Sequence, residues 1–318
     1  MAANDAIASD LPLFEGVSVL AQHPCGLRAL YKPPGVLSHP NPPEEAEDLP
    51  EAIRKVRAKQ GTAPDPEEQR PALLTKPYKF DDECFEWTEN GRPRRVYLLN
   101  RLDSPTTGLV LVSLNDAIAE PVRELFASHR AKKTYLAIVK GRPPSMPPLW
   151  IDLLERSRDA EGNLRVRYGA ANSGGGKNAV AARTRYHYLR QDLNRLGVSL
   201  VQLMPVTGRT HQLRVQCAKR KAPIVGDQTY GDFRFNRRIA RGIYAKRMFL
   251  HAAALELKFN HEGETVEFKA ECPMPEDFSL LLDSHPDLWI KADAPGAAEA
   301  SRSGSRSSGR SRSRSRRL

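Results

Sequence analysis

The chain has 318 residues, 40% hydrophobic and 27% charged, with 49 basic against 38 acidic side chains and a formal charge of +11. That length supports one large hydrophobic core or two modest ones. No apolar run is long enough to span a bilayer, and residues 1–14, with Asp5, Asp10 and no basic start, do not read as a secretory signal, so a cytoplasmic protein is expected.

Val17–Leu20 and Leu27–Tyr31 read as two short strands about a turn at His23–Gly26. Lys32-Pro33-Pro34-Gly35-Val36-Leu37-Ser38-His39-Pro40 follows, and its Pro-Pro-Gly turn cannot continue a helix or a central strand. Residues 41–95 read as an insertion, Pro- and Glu-rich at first, then a short amphipathic helix over Leu49–Gln60, then loop-like. A structureless loop of that length is unusual, so local structure is expected within it.

Residues 96–114 organise the rest. Tyr97–Asp103 and Leu109–Val112 flank Ser104-Pro105-Thr106-Thr107-Gly108 and read as strand, turn, strand, with Asp103 where the first strand ends. On such a strand Arg101 and Asp103, two apart, share one face. Asn115-Asp116 offers a cap for a helix over 117–130, with Ile118, Val122, Leu125 and Phe126 on one side. Thr134–Val139 is a strand. Within 149–206 the β pattern continues at Leu164–Tyr168, Thr184–Leu189 and Val198–Met204. Thr210–Ala218 suits a helix that ends at Pro223–Asp227; strands at 247–258 and 264–270 and a short helix from Pro275 to Leu282 close the pattern.

From about residue 291 apolar residues vanish, and 301–318 is almost entirely Ser, Arg and Gly, a composition expected to be disordered. Without the seven arginines of that tail the body carries 42 basic and 38 acidic groups, so it must rely on local clusters to hold a polyanion. The resulting division is an N-terminal extension at 1–15, one folded domain at 16–290 and a Ser/Arg tail at 291–318. Many strands with a few helices indicate an α+β fold on a large, mainly antiparallel or mixed sheet.

Three clusters carry candidate chemistry. Asp103 is a carboxylate that needs a nearby cation to stay ionised as a nucleophile, although a lone Asp at a strand end is also an ordinary turn residue. Gly208–Arg214 packs Arg209, Thr210, His211, Gln212, Leu213 and Arg214 together. Its guanidiniums suit phosphate or carboxylate; the competing reading is a solvated basic face. Tyr135, after Lys132 and Lys133, is a core aromatic or a ring that stacks on a base. Cys25, Cys84, Cys217 and Cys272 form no Cys-x-x-Cys pair, so neither a metal site nor a disulfide framework is expected. Gly174-Gly175-Gly176-Lys177 is followed by Asn178 and fails the spacing of a phosphate-binding loop, so it reads as a hairpin loop and no nucleotide cofactor is expected.

In order, Arg-Leu-Asp-x-x-Thr-Thr-Gly-Leu from Arg101, Lys-Thr-Tyr-Leu-Ala from Lys133 and Gly-Arg-Thr-His-Gln-Leu-Arg from Gly208 resemble the RluA-type RNA pseudouridine synthases. The Lys32–Pro40 segment, Val225-Gly226-Asp227-Gln228-Thr229-Tyr230-Gly231 and Leu250-His251-Ala252 resemble further motifs of that family. The resemblance implies the synthase fold with a central cleft and a cofactor-free, metal-free isomerisation of uridines in ribosomal or transfer RNA, ribosomal RNA ahead, by a monomeric enzyme. It implies that Asp103 is catalytic, that Tyr135 packs on the target base and assists proton transfer, and that Arg214 pairs with Asp103. It also implies that Leu213 walls the pocket, that Arg101 fills the gap left by a flipped nucleotide, and that Thr107, Arg209, Thr210, His211 and Gln212 help hold the substrate. Asn100 stands where the family usually has His, Thr107 replaces a usual Ser, and the insertion is longer than usual. Two rivals stand beside this reading. One is a non-catalytic RNA-binding protein with the same fold. The other is a glycoside hydrolase, which needs a second carboxylate partner for Asp103.

Overall fold

The computed structural model describes residues 10–41, 71–144, 147–158, 164–168, 179–193, 196–243 and 247–283. The helix expected at 49–60, the hairpin loop at 174–177 and the tail from 291 lie outside the described residues. Of the N-terminal extension, Leu11, Leu13 and Phe14 pack on the core, and Leu13 bridges Leu74.

The strands are β1 (Ser18–Gln22), β2 (Leu27–Lys32), β3 (Tyr78–Lys79), β4 (Cys84–Glu89), β5 (Arg92–Leu98), β6 (Thr107–Ser113), β7 (Lys132–Lys140), β8 (Leu149–Arg158), β9 (Leu164–Tyr168), β10 (Val180–Gln191), β11 (Val198–Pro205), β12 (Leu250–His261) and β13 (Glu264–Glu271). The helices are α1 (Asp116–Ala127), α2 (Gln212–Lys219), α3 (Phe233–Ile243) and α4 (Glu276–Asp283). All thirteen strands among the described residues join one mixed sheet in the order β3-β4-β5-β6-β12-β7-β11-β10-β8-β9, with β2 also on β6, β1 on β2 and β13 on β12. The expected α+β architecture is the observed one.

β6 is buried along its whole length, the signature of a strand covered on both faces. It meets β12 in a short parallel contact, His251 opposite Thr107 and Ala252 opposite Gly108. Only glycine permits that approach: Gly108 has φ +109°, and a Cβ there would lie 2.2 Å from the Ala252 carbonyl oxygen. α1 starts where its sequence says, with Asn115 Oδ1 accepting from Ala117 N–H and Ile118, Val122 and Leu125 buried. One hydrophobic cluster surrounds β2, β6 and α1, and another surrounds β7, β11 and α2; Tyr135 packs against both. The cleft opens at that junction.

Three features differ from the sequence reading. β5 ends at Leu98, so Arg101 and Asp103 are not on a strand. Leu99 N–H still donates to the Leu111 carbonyl, and Asn100 Oδ1 accepts from Leu111 N–H, after which the chain leaves the sheet. Ser38 then takes over, its hydroxyl accepting from Leu102 N–H and donating to Leu102 C=O, which replaces the ladder bonds a strand would need. Within the expected insertion, β3 and β4 join the sheet edge, and Leu73 and Phe85 are fully buried. The third feature is α3, which occupies a stretch with no expected element; its inward face is little more than Phe235 and Ile239.

Candidate active site

A cavity of about 370 Å³ opens between the two halves of the sheet, lined by the 99–106 loop, Lys133 and Tyr135 of β7, the 207–214 segment and Leu250. The loop carrying Asp103 is pinned from behind. Thr106 N–H donates to the Asp103 carbonyl at 2.9 Å, and Gly35 N–H donates to the Ser104 carbonyl at 3.0 Å. Lys32, fully buried, sends its ammonium to the carbonyls of Pro33 (3.1 Å), Val36 (2.7 Å) and Ser104 (2.8 Å). Three donors meet three acceptors, so one side chain ties both loops together. Burial lowers the Lys32 pKa to about 7, and the Asp103 charge pulls it the other way.

Arg214, in the first turn of α2, joins the loops to each other. Its Nη1 donates to Asp103 Oδ2 at 3.0 Å, while Nε and Nη2 donate to Asp227 Oδ2 and Oδ1 at 2.8 and 2.9 Å. Asp227 is wholly buried and also accepts from Thr229 and Tyr230 N–H. Burial alone would lower the Arg214 pKa; the bonds and charges of Asp227 and Asp103 reverse this and raise it. Burial alone would raise Asp227; Arg214 and the two backbone N–H groups reverse that and lower it. Arg214 and Asp227 therefore stay ionised against each other. Of the two carboxylates on Arg214, Asp103 is the one on the cavity, its side chain 27% exposed.

His211 sits at the N-cap of α2 with φ +52°, its Nε2 4.0 Å from Asp103 Oδ2. Its Nδ1 lies 2.8 Å from the Tyr230 hydroxyl, which accepts from Val166 N–H. One hydrogen is shared between Nδ1 and the phenol oxygen, and Nε2 is the ring nitrogen that faces Asp103. Burial lowers the His211 pKa against the pull of Asp103. Burial, and secondarily the Asp103 charge, raises that of Tyr135, so its phenol stays protonated.

The remaining candidates divide. Leu213 and Gln212 form cavity wall, Gln212 as a buried hub whose amide donates to Arg183 C=O and Thr184 Oγ1 and whose oxygen accepts from Thr207 Oγ1 and Arg209 N–H. Arg209 and Arg101 are exposed at the rim. Thr210 lines a neighbouring cavity and accepts from Arg156. Thr107 does not line either cavity: it is fully buried, its hydroxyl donating to His251 Nδ1 at 2.9 Å and accepting from Arg247 at 3.2 Å. The residue before it, Thr106, faces the site instead. Lys32 and Asp227 stand inside the Lys32–Pro40 and Val225–Gly231 motifs, and their roles emerge only from these buried contacts. The signal available for Asp227 was a carboxylate 13 residues after an arginine that needs a partner. Among the described residues no three His, Cys, Asp or Glu side chains come together as a metal site.

Residues 27–219, more than half of the chain, match the family described as RNA pseudouridylate synthase. The chain belongs to that family. This pseudouridylate synthase is 31% identical over 182 residues to the tRNA pseudouridine synthase C of Yersinia pestis, a match covering 57% of the chain and 71% of the relative. It is 33% identical over 195 residues to the ribosomal large subunit pseudouridine synthase C of Escherichia coli (strain K12), covering 59% of the chain and 56% of that relative. Human RNA Pseudouridylate Synthase Domain Containing 1 has the same fold, with a TM-score of 0.52 and 23% identity across 85% of this chain and 89% of that one. The synthase is an isomerase that converts uridine to pseudouridine in RNA. No helix among its described residues is long and apolar enough to cross a membrane.

Proposed function

We propose that the isomerisation runs on Asp103 as nucleophile, with the target uridine flipped into the 370 Å³ cavity and stacked on Tyr135. The observation that carries this reading is the Asp227–Arg214–Asp103 chain. Arg214 is fixed by a buried carboxylate behind it and hands its remaining N–H to the carboxylate in the cavity. A buried guanidinium held in this way aims the Asp103 carboxylate before substrate arrives.

The reaction breaks the C1′–N1 bond and forms a C1′–C5 bond to the same uracil. N1 gains a hydrogen and C5 loses one, so no electrons or external groups are needed. Asp103 attacks C1′ as the C1′–N1 bond breaks, holds the sugar while the uracil anion turns, and leaves as a carboxylate when C5 bonds to C1′. Tyr135, kept protonated, is a weak base by itself; it takes the C5 proton as it passes its own to the freed Asp103, and that proton then goes to N1, which restores the carboxylate. Unstacking the uridine costs a few kcal/mol. Arg101 at the rim, hydrogen-bonded only to His39 among the described residues, enters the vacated place and offsets part of that cost. Arg209 and His211 hold the backbone beside the target. The enzyme works as a monomer.

The substrate class is structured RNA, and relatives are named for both transfer RNA and the large ribosomal subunit. The test incubates the purified chain with ribosomal and transfer RNA transcripts, then maps pseudouridine and analyses nucleosides by mass. New pseudouridine of unchanged mass in one RNA supports the proposal and names the class. Free uracil, or no pseudouridine in either RNA, overturns it.

A further inference from the structure

Beside the catalytic cavity lies a second one, of about 410 Å³, which shares Arg101, Leu102, Asp103, Gly208, Arg209 and His211 with it and adds the 37–41 segment and Thr210. We propose that this second cavity is a base-stacking subsite for the nucleotide adjacent to the target uridine, with its base on His39 and its phosphate on Arg209. The proposal rests on the active-site reading above and extends it to the neighbouring nucleotide.

His39 is the centre of an aromatic group. Tyr78 stacks on its ring at 5.0 Å between centroids and 15° between planes, and Phe80 meets the ring edge-on at 5.9 Å. Tyr78 and Phe80 also contact each other at 5.1 Å. Neither lines the cavity, so the surface His39 turns to it is the part of the ring they leave uncovered. The group is a rigid platform because three rings brace one another and Tyr78 packs further on buried Phe85. Base–aromatic stacking of this kind tolerates any base, since every base has a π face.

The polar groups fit a nucleotide. His39 Nδ1 lies 2.6 Å from the Pro40 carbonyl, which can only accept, so Nδ1 carries the hydrogen and Nε2 is a bare acceptor taking an N–H from Arg101 at 3.2 Å. His39 is thus neutral and suited to stacking, and its pKa is lowered, first by burial. When Arg101 moves into the flipped uridine's place, His39 Nε2 is released toward the cavity. Arg209 makes one side-chain bond, Nε to the Ala181 carbonyl at 3.3 Å, and has no carboxylate partner among the described residues, leaving its guanidinium for a phosphate. The cavity is a suitable size for one nucleotide. The distance from target to neighbour is short by construction, because Asp103 lines both spaces.

The test uses a short hairpin RNA around the mapped target uridine, with 2-aminopurine as its 5′ or its 3′ neighbour. Binding to the wild-type enzyme is expected to change the fluorescence at one flank as the probe stacks. His39→Ala is expected to abolish that change and His39→Phe, which keeps a ring, to preserve it. Replacing the same neighbour by an abasic residue is expected to weaken binding about tenfold in the wild type and little further in His39→Ala. No fluorescence response at either flank, or an equal abasic penalty in wild type and His39→Ala, overturns the subsite. Tritium release from 5-tritiated uridine, run on the wild type in parallel, reports on the active-site reading separately.

Discussion

Replacing Asp227 by Asn changes one atom of a fully buried carboxylate and sets two donors against each other. In the wild type Oδ2 accepts from Arg214 Nε at 2.8 Å, while Oδ1 accepts from Arg214 Nη2, Thr229 N and Tyr230 N at 2.9, 2.8 and 3.0 Å. An asparagine that keeps its oxygen at the Oδ1 place must put an NH₂ at 2.8 Å from an N–H; the flipped amide faces three donors and is worse. Removing one charge of a buried pair typically costs about 3–5 kcal/mol. Arg214 then relaxes toward Asp103, and a misplacement of about 1 Å at the reacting group lowers the rate on the order of 100-fold. Urea unfolding should show the first loss and tritium release from 5-tritiated uridine in RNA the second. The pH dependence has a fixed sign: the Asp227 pKa is lowered in the fold, so its contribution is complete above the unfolded value of about 3.9 and disappears as pH falls through the folded value. The stability gap between wild type and variant should therefore be full at pH 7 and close in acid. A variant within about 1 kcal/mol of wild type at pH 7, with an unchanged rate, would refute the clamp.

Tyr135→Phe keeps the ring and loses the hydroxyl; turnover should fall by about 10²–10⁴ while RNA affinity, measured by fluorescence anisotropy, stays within a few-fold. Gly108→Ala meets both a positive φ and a contact of 2.2 Å with the Ala252 carbonyl, and should lose about 3 kcal/mol or more in chemical denaturation. His251 is held neutral, its Nε2 hydrogen on the Cys272 carbonyl and its Nδ1 accepting from Thr107; burial lowers its pKa to about 4. The unfolded state then binds the proton first, so lowering pH from 7 to 4 should remove about 3 kcal/mol of stability, and His251→Gln should lack that component of the slope.

The site was legible where its groups recur as short ordered motifs. Asp103, Tyr135 and Arg214 are distant in sequence, yet they meet at one cavity. Local pattern misread the Leu99–Asp103 segment, because buried Leu99 and Leu102 resemble strand residues while the bonds that shape the loop come from Ser38, some 64 residues away. Thr107 looked like a substrate hydroxyl beside Asp103, but β6 begins at Thr107 and turns that hydroxyl to His251. Lys32 and Asp227 do their work through buried contacts across loops, which no spacing rule reveals. α3 escaped notice because Phe235 and Ile239 are a short apolar stripe among arginines.

The central claim is that the Asp103 carboxylate carries the chemistry. Asp103→Asn leaves Arg214 gripped by Asp227, so the fold and the cleft should survive. Single-turnover tritium release from 5-tritiated uridine in RNA, with RNA affinity measured on the same preparation, tests it directly. The account predicts binding within a few-fold of wild type and no release above background; release at a rate near wild type would contradict it.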